Sequence, residues 1–501
     1  MTLSERVFGF LWKLLLVVLP LSSFPLLSTI FGGTSVAPLA FVPMAVIIIF
    51  WWLPNFFRND RKLPYQVKPL LVFFLVGMLS TLFSFFHQVP TFRDVPWLQN
   101  TAETLVTFAM GLGFYLVTIF AIKSPEKLRT TLVWISIGGM VVIASSWIQY
   151  GSWLANNHFP EWMHRIQELV SSSGVLYRGR ATGLAYEPSW LAHQLNMVYL
   201  PIWLGLSLSG QSAFKKKLFN NIQYEKVLLI MGVVTLFISF SRIGWITMIL
   251  LATYVIYRLT NTWIEKLSHK HREQNIQVSL ARQSIFRLGI WVGLIVGFVA
   301  VILLAGFLMT KFEPRMARLF DILRFIDFGF MGWASTLGFA ERIVFWQAAY
   351  AVFQLYPLLG AGFGIPGYYF TLTVPNFGTR LPEINKVALT QNFIPNAKNL
   401  WVRLLSETGI TGFALFTAWL VVHWRDANWL EKHSESGLLK AMGLVGKLIV
   451  IAMIIEGFSL DSFGLPYYWV SLGVISASWL IAQTEAETTT SSGQTLPSAD
   501  R

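Results

Sequence analysis

The 501-residue sequence contains no cysteine. Disulfides, thiolate metal sites and cysteine nucleophiles are therefore excluded. Charge is scarce too: Asp, Glu, Lys and Arg make up 13% of the chain, against 54% hydrophobic residues. The mean hydropathy is +0.57. A soluble protein of this size could not cover its surface with so few polar side chains, so a soluble class is excluded. The sequence also lacks an HExxH motif, an Asp-rich motif and a DxD-like pair, and no metal or cofactor is expected. What remains is a chain of repeated apolar runs, each about 20 residues long, the signature of a polytopic membrane protein.

About twelve such runs are present. They lie at 7–31, 36–57, 68–87, 101–122, 129–150, 186–209, 226–241, 242–259, 288–310, 399–423, 440–460 and 466–482. The first is long and is not followed by a small-residue cleavage site, so it reads as a span and not as a signal peptide. Ser241-Arg242 splits the seventh from the eighth and predicts a tight turn at one membrane face. The expected fold is an all-α transmembrane bundle, a single domain over 1–482 with a disordered cytoplasmic tail over 483–501.

The formal net charge of +13 has a location. Arg58, Arg61, Lys62 and Lys68 follow the second run, and Lys123, Lys127 and Arg129 follow the fourth. Lys215, Lys216, Lys217 and Lys226 follow the sixth; Lys266, Lys270, Arg272, Arg282 and Arg287 follow the eighth. Every second connection is basic, which predicts that both termini are cytoplasmic. The basic balance then reads as a topology signal, with lipid phosphates as partners and no nucleic acid. Two segments are expected outside. Residues 151–185 include the amphipathic "PEWMHRIQELV", suited to an interface. Residues 311–398 form a large, partly helical extracytoplasmic loop, with helices predicted over 313–327 and 340–356, the second stopped by Pro357.

This topology gathers charge at one face. Arg180 and Glu187 precede the sixth span, Arg242 lies at the turn between the seventh and eighth, and Arg342 and Lys398 lie in or at the end of the large loop. Charge at membrane depth is costly, so it is usually paired or functional. Three arginines from three distant segments point to a polyanion, because the planar guanidinium fork suits phosphate oxygens. Each has an ordinary reading as well. Arg242 could be a snorkelling anchor, Glu187 a carboxylate at a helix N-terminus, Arg342 a partner of Glu341 or Glu383, and Lys398 a surface lysine. His193 reads as a packed polar group. "GAGFG" follows no strand, so it is a poor phosphate cradle.

Four stretches, in order, resemble the bacterial O-antigen polymerase and O-antigen ligase family. They are "RATGLAYEPSWLA", "SFSRIGWI", "ERIVFWQAAYAVFQLYPLLGAGFG" and "KNLWVRLLSETGITG", running from about 178 to 415. The resemblance implies a GT-C-like, metal-independent membrane glycosyltransferase. Its substrates would be undecaprenyl-diphosphate-linked glycans at the outer face of the bacterial inner membrane. It also implies that Arg180, Arg242 and Arg342 hold the diphosphate, with Glu187 near the acceptor. Ligases of the family place His-Asn where this chain has Lys398-Asn399, and lysine is a poorer base at neutral pH. The implied activity is therefore polymerisation of lipid-linked repeat units in O-antigen or exopolysaccharide biosynthesis. The alternative is ligation of glycan to lipid A-core in lipopolysaccharide biosynthesis, possible partners being other envelope polysaccharide assembly proteins. A lipid-linked glycan transporter also fits twelve spans, but no internal repeat is visible and the charges sit at one face. Glu187 and Lys398 are the candidates for the catalytic residues.

The topology has a direct test. Cysteines introduced at Ser172 and Thr379 into this cysteine-free chain are expected to react with an impermeant thiol reagent in cells whose outer membrane has been permeabilised. Labelling of a cysteine in 266–275 instead would invert the topology.

Overall fold

The computed structural model describes residues 2–58, 63–86, 88–93, 95–218, 221–273, 322–389 and 394–492, with isolated residues between 289 and 307. Most of the ninth expected span and the segment 493–501 lie outside the described residues. The elements are helical, and among the described residues only isolated β-bridges occur. Seven of these helices are long and apolar enough to cross a membrane: Phe41–Arg58, Tyr65–Phe86, Trp97–Ala121, Pro125–Asn156, Arg242–Ile264, Leu400–His433 and Gly437–Glu456. The chain divides into two units, Met1–Met248 with Ala349–Tyr369 and Asn396–Arg501, and Ile249–Ala348 with Phe370–Pro395.

In the first unit, α1 (Leu3–Val18) opens with a capping box. The Thr2 hydroxyl accepts from the Glu5 amide at 3.2 Å, and Glu5 Oε2 accepts from the Thr2 amide at 2.9 Å. The run at 7–31 was expected to be continuous, but it breaks after Val18. A short α2 (Pro25–Ile30) follows, opened by its proline. The apolar pattern crosses Pro20 and Pro25 unbroken, whereas the backbone does not.

The expected sixth span is likewise interrupted. It comprises α3 (Pro188–Gln194), a π-helical turn over Leu195–Tyr199, and α4 (Leu200–Leu208). The cause lies in Pro201, which has no N–H to give the Met197 carbonyl four residues earlier. Ser471 Oγ donates to that carbonyl instead, at 2.7 Å. After α5 (Tyr224–Ile238) the chain turns and enters α6 (Arg242–Glu273), so the turn predicted at Ser241-Arg242 is present. The last helix, α11 (Tyr467–Ser492), continues ten residues past 482, where a disordered tail was expected.

The core of this unit is aromatic. Phe73 packs on Phe108, Phe363 and Phe416 with ring centroids 5.5–5.9 Å apart. Phe108 meets Phe463 at 5.5 Å and Trp469 at 5.9 Å. Lipid tails are as apolar as these rings, so close packing and ring geometry hold the cluster more than exclusion of water does.

In the second unit, α7 (Ile322–Thr336) and the start of α8 (Ala340–Leu355) precede the short α9 (Pro382–Leu389). Val344, Phe345, Ala348, Phe370 and Ile384 form its core, with Phe345 stacked on Phe370 at 5.3 Å. The helix predicted over 340–356 is thus α8. Of the one predicted over 313–327, only the part from Ile322 is described, and that part runs on to Thr336 across a kink at Gly329, whose φ is 65°.

Back in the first unit, α10 (Leu400–His433) is bent at Gly409, whose φ of 62° and ψ of −169° belong to a region essentially reserved for glycine. A Cβ there would lie 2.3 Å from the Leu358 carbonyl oxygen. The bend receives the glycine-rich turn 358–364. The Ile410 amide donates to the Pro357 carbonyl at 2.9 Å, and the Ala361 and Gly362 amides donate to the carbonyls of Ser406 and Glu407. Gly409→Ala should therefore cost more than the ~1–3 kcal/mol of backbone strain alone. Gly32→Ala, with φ +77° and open space around it, carries only the strain. The predicted order of thermal unfolding temperature in detergent is wild type, then Gly32→Ala, then Gly409→Ala.

Candidate functional site

The segment before α3 is pinned from below by one side chain. Gln149 Oε1 accepts from the amides of Thr182 (3.1 Å) and Gly183 (2.8 Å), while its Nε2 donates to the Gly183 carbonyl at 2.9 Å. The Ala181 amide donates to the Ile238 carbonyl at 2.8 Å, tying the segment to the end of α5. Arg180 then reaches the turn itself. Its Nε donates to the Ser239 carbonyl at 3.1 Å and its Nη2 to the Phe240 carbonyl at 3.3 Å. A guanidinium at the C-terminal end of a helix satisfies carbonyls that the helix leaves open. The structure thus brings Arg180 to the turn that ends in Arg242, although 60 residues separate Arg180 from Phe240. Arg242 opens α6 and is half-buried.

Glu187 is the N-cap residue of α3, but its side chain makes no capping bond to the backbone. Its Oε1 accepts from Ser189 Oγ. Burial, and after it the charge of Glu187, pushes the phenols of Tyr177 and Tyr186 above their ordinary range, while Arg180 pulls Tyr177 back. A carboxylate, a guanidinium and two phenols therefore share one half-buried environment at the head of α3.

Lys398 has a left-handed backbone, with φ of 49°. Its amide donates to Asp461 Oδ2 at 2.7 Å. Asn399 caps α10, its Oδ1 accepting from Trp401 (2.9 Å) and Val402 (3.2 Å). One turn into α10, Arg403 pairs with Glu407 at 3.0 Å, both largely buried, and lies over the Phe463 ring at 4.6 Å. Arg342 belongs to the second unit, half-buried on α8.

The glycine-rich turn has a structural use. The Gly360, Ala361 and Gly362 amides donate to the carbonyls of Tyr356, Ser406 and Glu407. Phe363 donates to Thr81 Oγ1 and Gly364 to Glu407 Oε1, each at 3.0 Å. These five successive amides are committed within the protein, which is not how a phosphate cradle presents them. His193 is a buried packed group, its Nδ1 2.6 Å from Glu456 Oε2. Among the described residues, no three of His, Asp or Glu gather as a metal site.

Sequence reasoning did not single out Arg403, Glu407, Asp461 or Glu456, whose bonds organise the segments that carry candidate residues. The i, i+4 spacing of Arg403 and Glu407 was a readable signal. Asp461 stood out only as the lone charge of its connection. Glu456 gave no signal beyond being a carboxylate at the end of an apolar run.

No curated protein matches the chain. Residues 227–417 match the family model described as O-antigen ligase. The matched stretch contains Arg242, Arg342, Lys398 and the glycine-rich turn, and stops short of Arg180 and Glu187. The match supports, over those residues, the resemblance of the chain to the O-antigen polymerase and ligase family.

Proposed function

We propose that the protein is a metal-independent glycosyltransferase that polymerises lipid-linked oligosaccharide repeat units at the extracytoplasmic face of the bacterial inner membrane. The family match over residues 227–417 carries this reading. The donor is a glycan on undecaprenyl diphosphate, held in a GT-C-like bundle with both termini in the cytoplasm. An acceptor sugar hydroxyl attacks the anomeric carbon of the donor. The bond from that carbon to the diphosphate oxygen breaks, and its electron pair leaves with the diphosphate. Arg180, Arg242 and Arg342 stabilise the departing charge. Glu187 takes the hydroxyl proton. Its side chain supports this role, because it is not spent on capping α3. Lys398 supplies further positive charge for the phosphates.

The second reading is ligation to lipid A-core, as the description of the matched family suggests. Lys398, in the place of the ligase histidine, favours polymerisation. Proteoliposomes supplied with lipid-linked repeat units and lipid A-core separate the two. Polymerisation gives a ladder of lengthening lipid-linked glycan, whereas ligation gives glycan attached to core. Absence of both products defeats both readings.

Arg242→Lys keeps the charge and loses the fork, so transfer should fall about 10- to 100-fold, the equivalent of ~1.5–3 kcal/mol for a charge-assisted bond. Near-normal transfer by Arg242→Lys and Arg242→Ala would favour the snorkelling anchor.

Glu187→Gln should lower single-turnover rates about 10²- to 10⁴-fold while lipid-linked substrate still binds. Lys398→Ala should raise KM more than it lowers kcat, and Lys398→His should retain activity. An active Glu187→Gln enzyme beside a Lys398→Ala enzyme that binds without turnover would exchange the two roles.

A further inference from the structure

The reaction scheme leaves one buried carboxylate unused. Glu456 lies at the end of a transmembrane helix, Gly437–Glu456, and is fully buried together with His193 and Asn196. His193 Nδ1 lies 2.6 Å from Oε2, and Asn196 Nδ2 donates to Oε1 at 2.6 Å. The same Asn196 amide donates to the Gly244 carbonyl at 2.9 Å, two residues beyond Arg242 in the first turn of α6. That approach is close: a Cβ on Gly244 would lie 2.6 Å from the Ala192 Cβ.

The backbone around Glu456 faces the other way. Its carbonyl accepts from the amides of Ser459 and Leu460, each at 2.9 Å. The carbonyls of Gly457 and Leu460, at the two ends of that bend, both accept from the Leu400 amide, at 2.8 and 3.0 Å. Asp461 follows and takes the Lys398 amide. One residue therefore stands between the segment headed by Glu187, the turn that carries Arg242, and the strand of backbone that carries Lys398.

A carboxylate is a costly way to fill such a position. Burying it loses several kcal/mol of hydration, and an apolar residue of similar volume often packs as well or better. Its directional bonds do what apolar contacts cannot: they fix the register of the elements they join. We propose that Glu456 is the positioning residue of the candidate site, holding α3, the first turn of α6 and residues 398–400 in a single register through His193, Asn196 and the bend at 457–460. It touches no substrate. The roles of Glu187, Arg242 and Lys398 in this scheme rest on the proposed glycosyl transfer; the register itself does not.

The absence of native cysteine permits a test on the full-length protein in liposomes. Spin labels on cysteines at Ile246 and Phe458, both exposed, report the distance between α6 and the bend. Glu456→Gln cannot accept on both sides, so the distance distribution should broaden or shift. His193→Leu should do the same, and His193→Asn, which keeps a donor, should restore the narrow distribution. In the unlabelled protein, Glu456→Gln should lower kcat at least tenfold with little change in KM for the lipid-linked repeat unit, and His193→Asn should again recover most of the rate. A role in stability alone would lower yield or unfolding temperature but leave distance and kcat of the folded fraction unchanged, and that outcome overturns the proposal. If Glu456→Gln does not fold, the His193 pair decides: a narrow distribution in His193→Leu overturns it equally. Wild-type protein without transferase activity would defeat the proposed function, leaving the distance measurements to judge the register.

Discussion

Inside a bilayer no water is at hand to satisfy a stray amide or carbonyl, so each irregularity in the backbone must find its partner within the protein. Much of this chain's architecture follows from that constraint. Pro201 removes one rung of a helical ladder, and Ser471 supplies the missing donor. The end of α5 leaves carbonyls at Ser239 and Phe240, and Arg180 takes both. The glycine-rich turn has no helix of its own, so its amides are received by the bent α10 and by Thr81, while Ser84 and Thr101 take the carbonyls of Ala361 and Phe363. The bend at Gly409 exists because the turn must approach that closely.

The same constraint shapes the surroundings of the candidate site residues. Side chains there serve the backbone first. Asn399 is a helix cap, and Asp461 holds the amide of Lys398, whose backbone is left-handed. Charges that meet the backbone in this way are fixed in place before any ligand arrives, which is the preorganisation that electrostatic catalysis needs. Arg180 illustrates the overlap: the bonds that finish a turn also set a guanidinium over the ring of Tyr177, whose phenol Glu187 influences as well.

How much of this was legible in the sequence depends on the range of the interaction. Helices such as Trp97–Ala121, Pro125–Asn156 and Leu400–His433 announce themselves by uninterrupted apolar windows. The turn before Arg242 is marked by two polar residues in an apolar run, and Ala340–Leu355 by its downstream proline. The breaks after Val18 and at Leu195–Tyr199 were missed because hydropathy averages across a proline, which acts on the backbone and not on polarity. The pairing of His193 with Glu456 spans 263 residues, and no local pattern encodes it. The five candidate residues were visible as charges in an apolar chain. What each charge bonds to depends on which carbonyls the fold leaves open, and that is settled only when distant helices meet.

The bond from Ser471 to Met197 crosses 274 residues of sequence. It therefore also has a place in time. A chain made from its N-terminus inserts the 188–208 region long before the ribosome reaches Ser471, so the interrupted helix waits with an open carbonyl until the last helix arrives. Until then the N-terminal half must keep that region near water, lipid headgroups or the insertion machinery. Truncation near the C-terminus would leave not just a missing helix but an unfinished one in the middle of the chain.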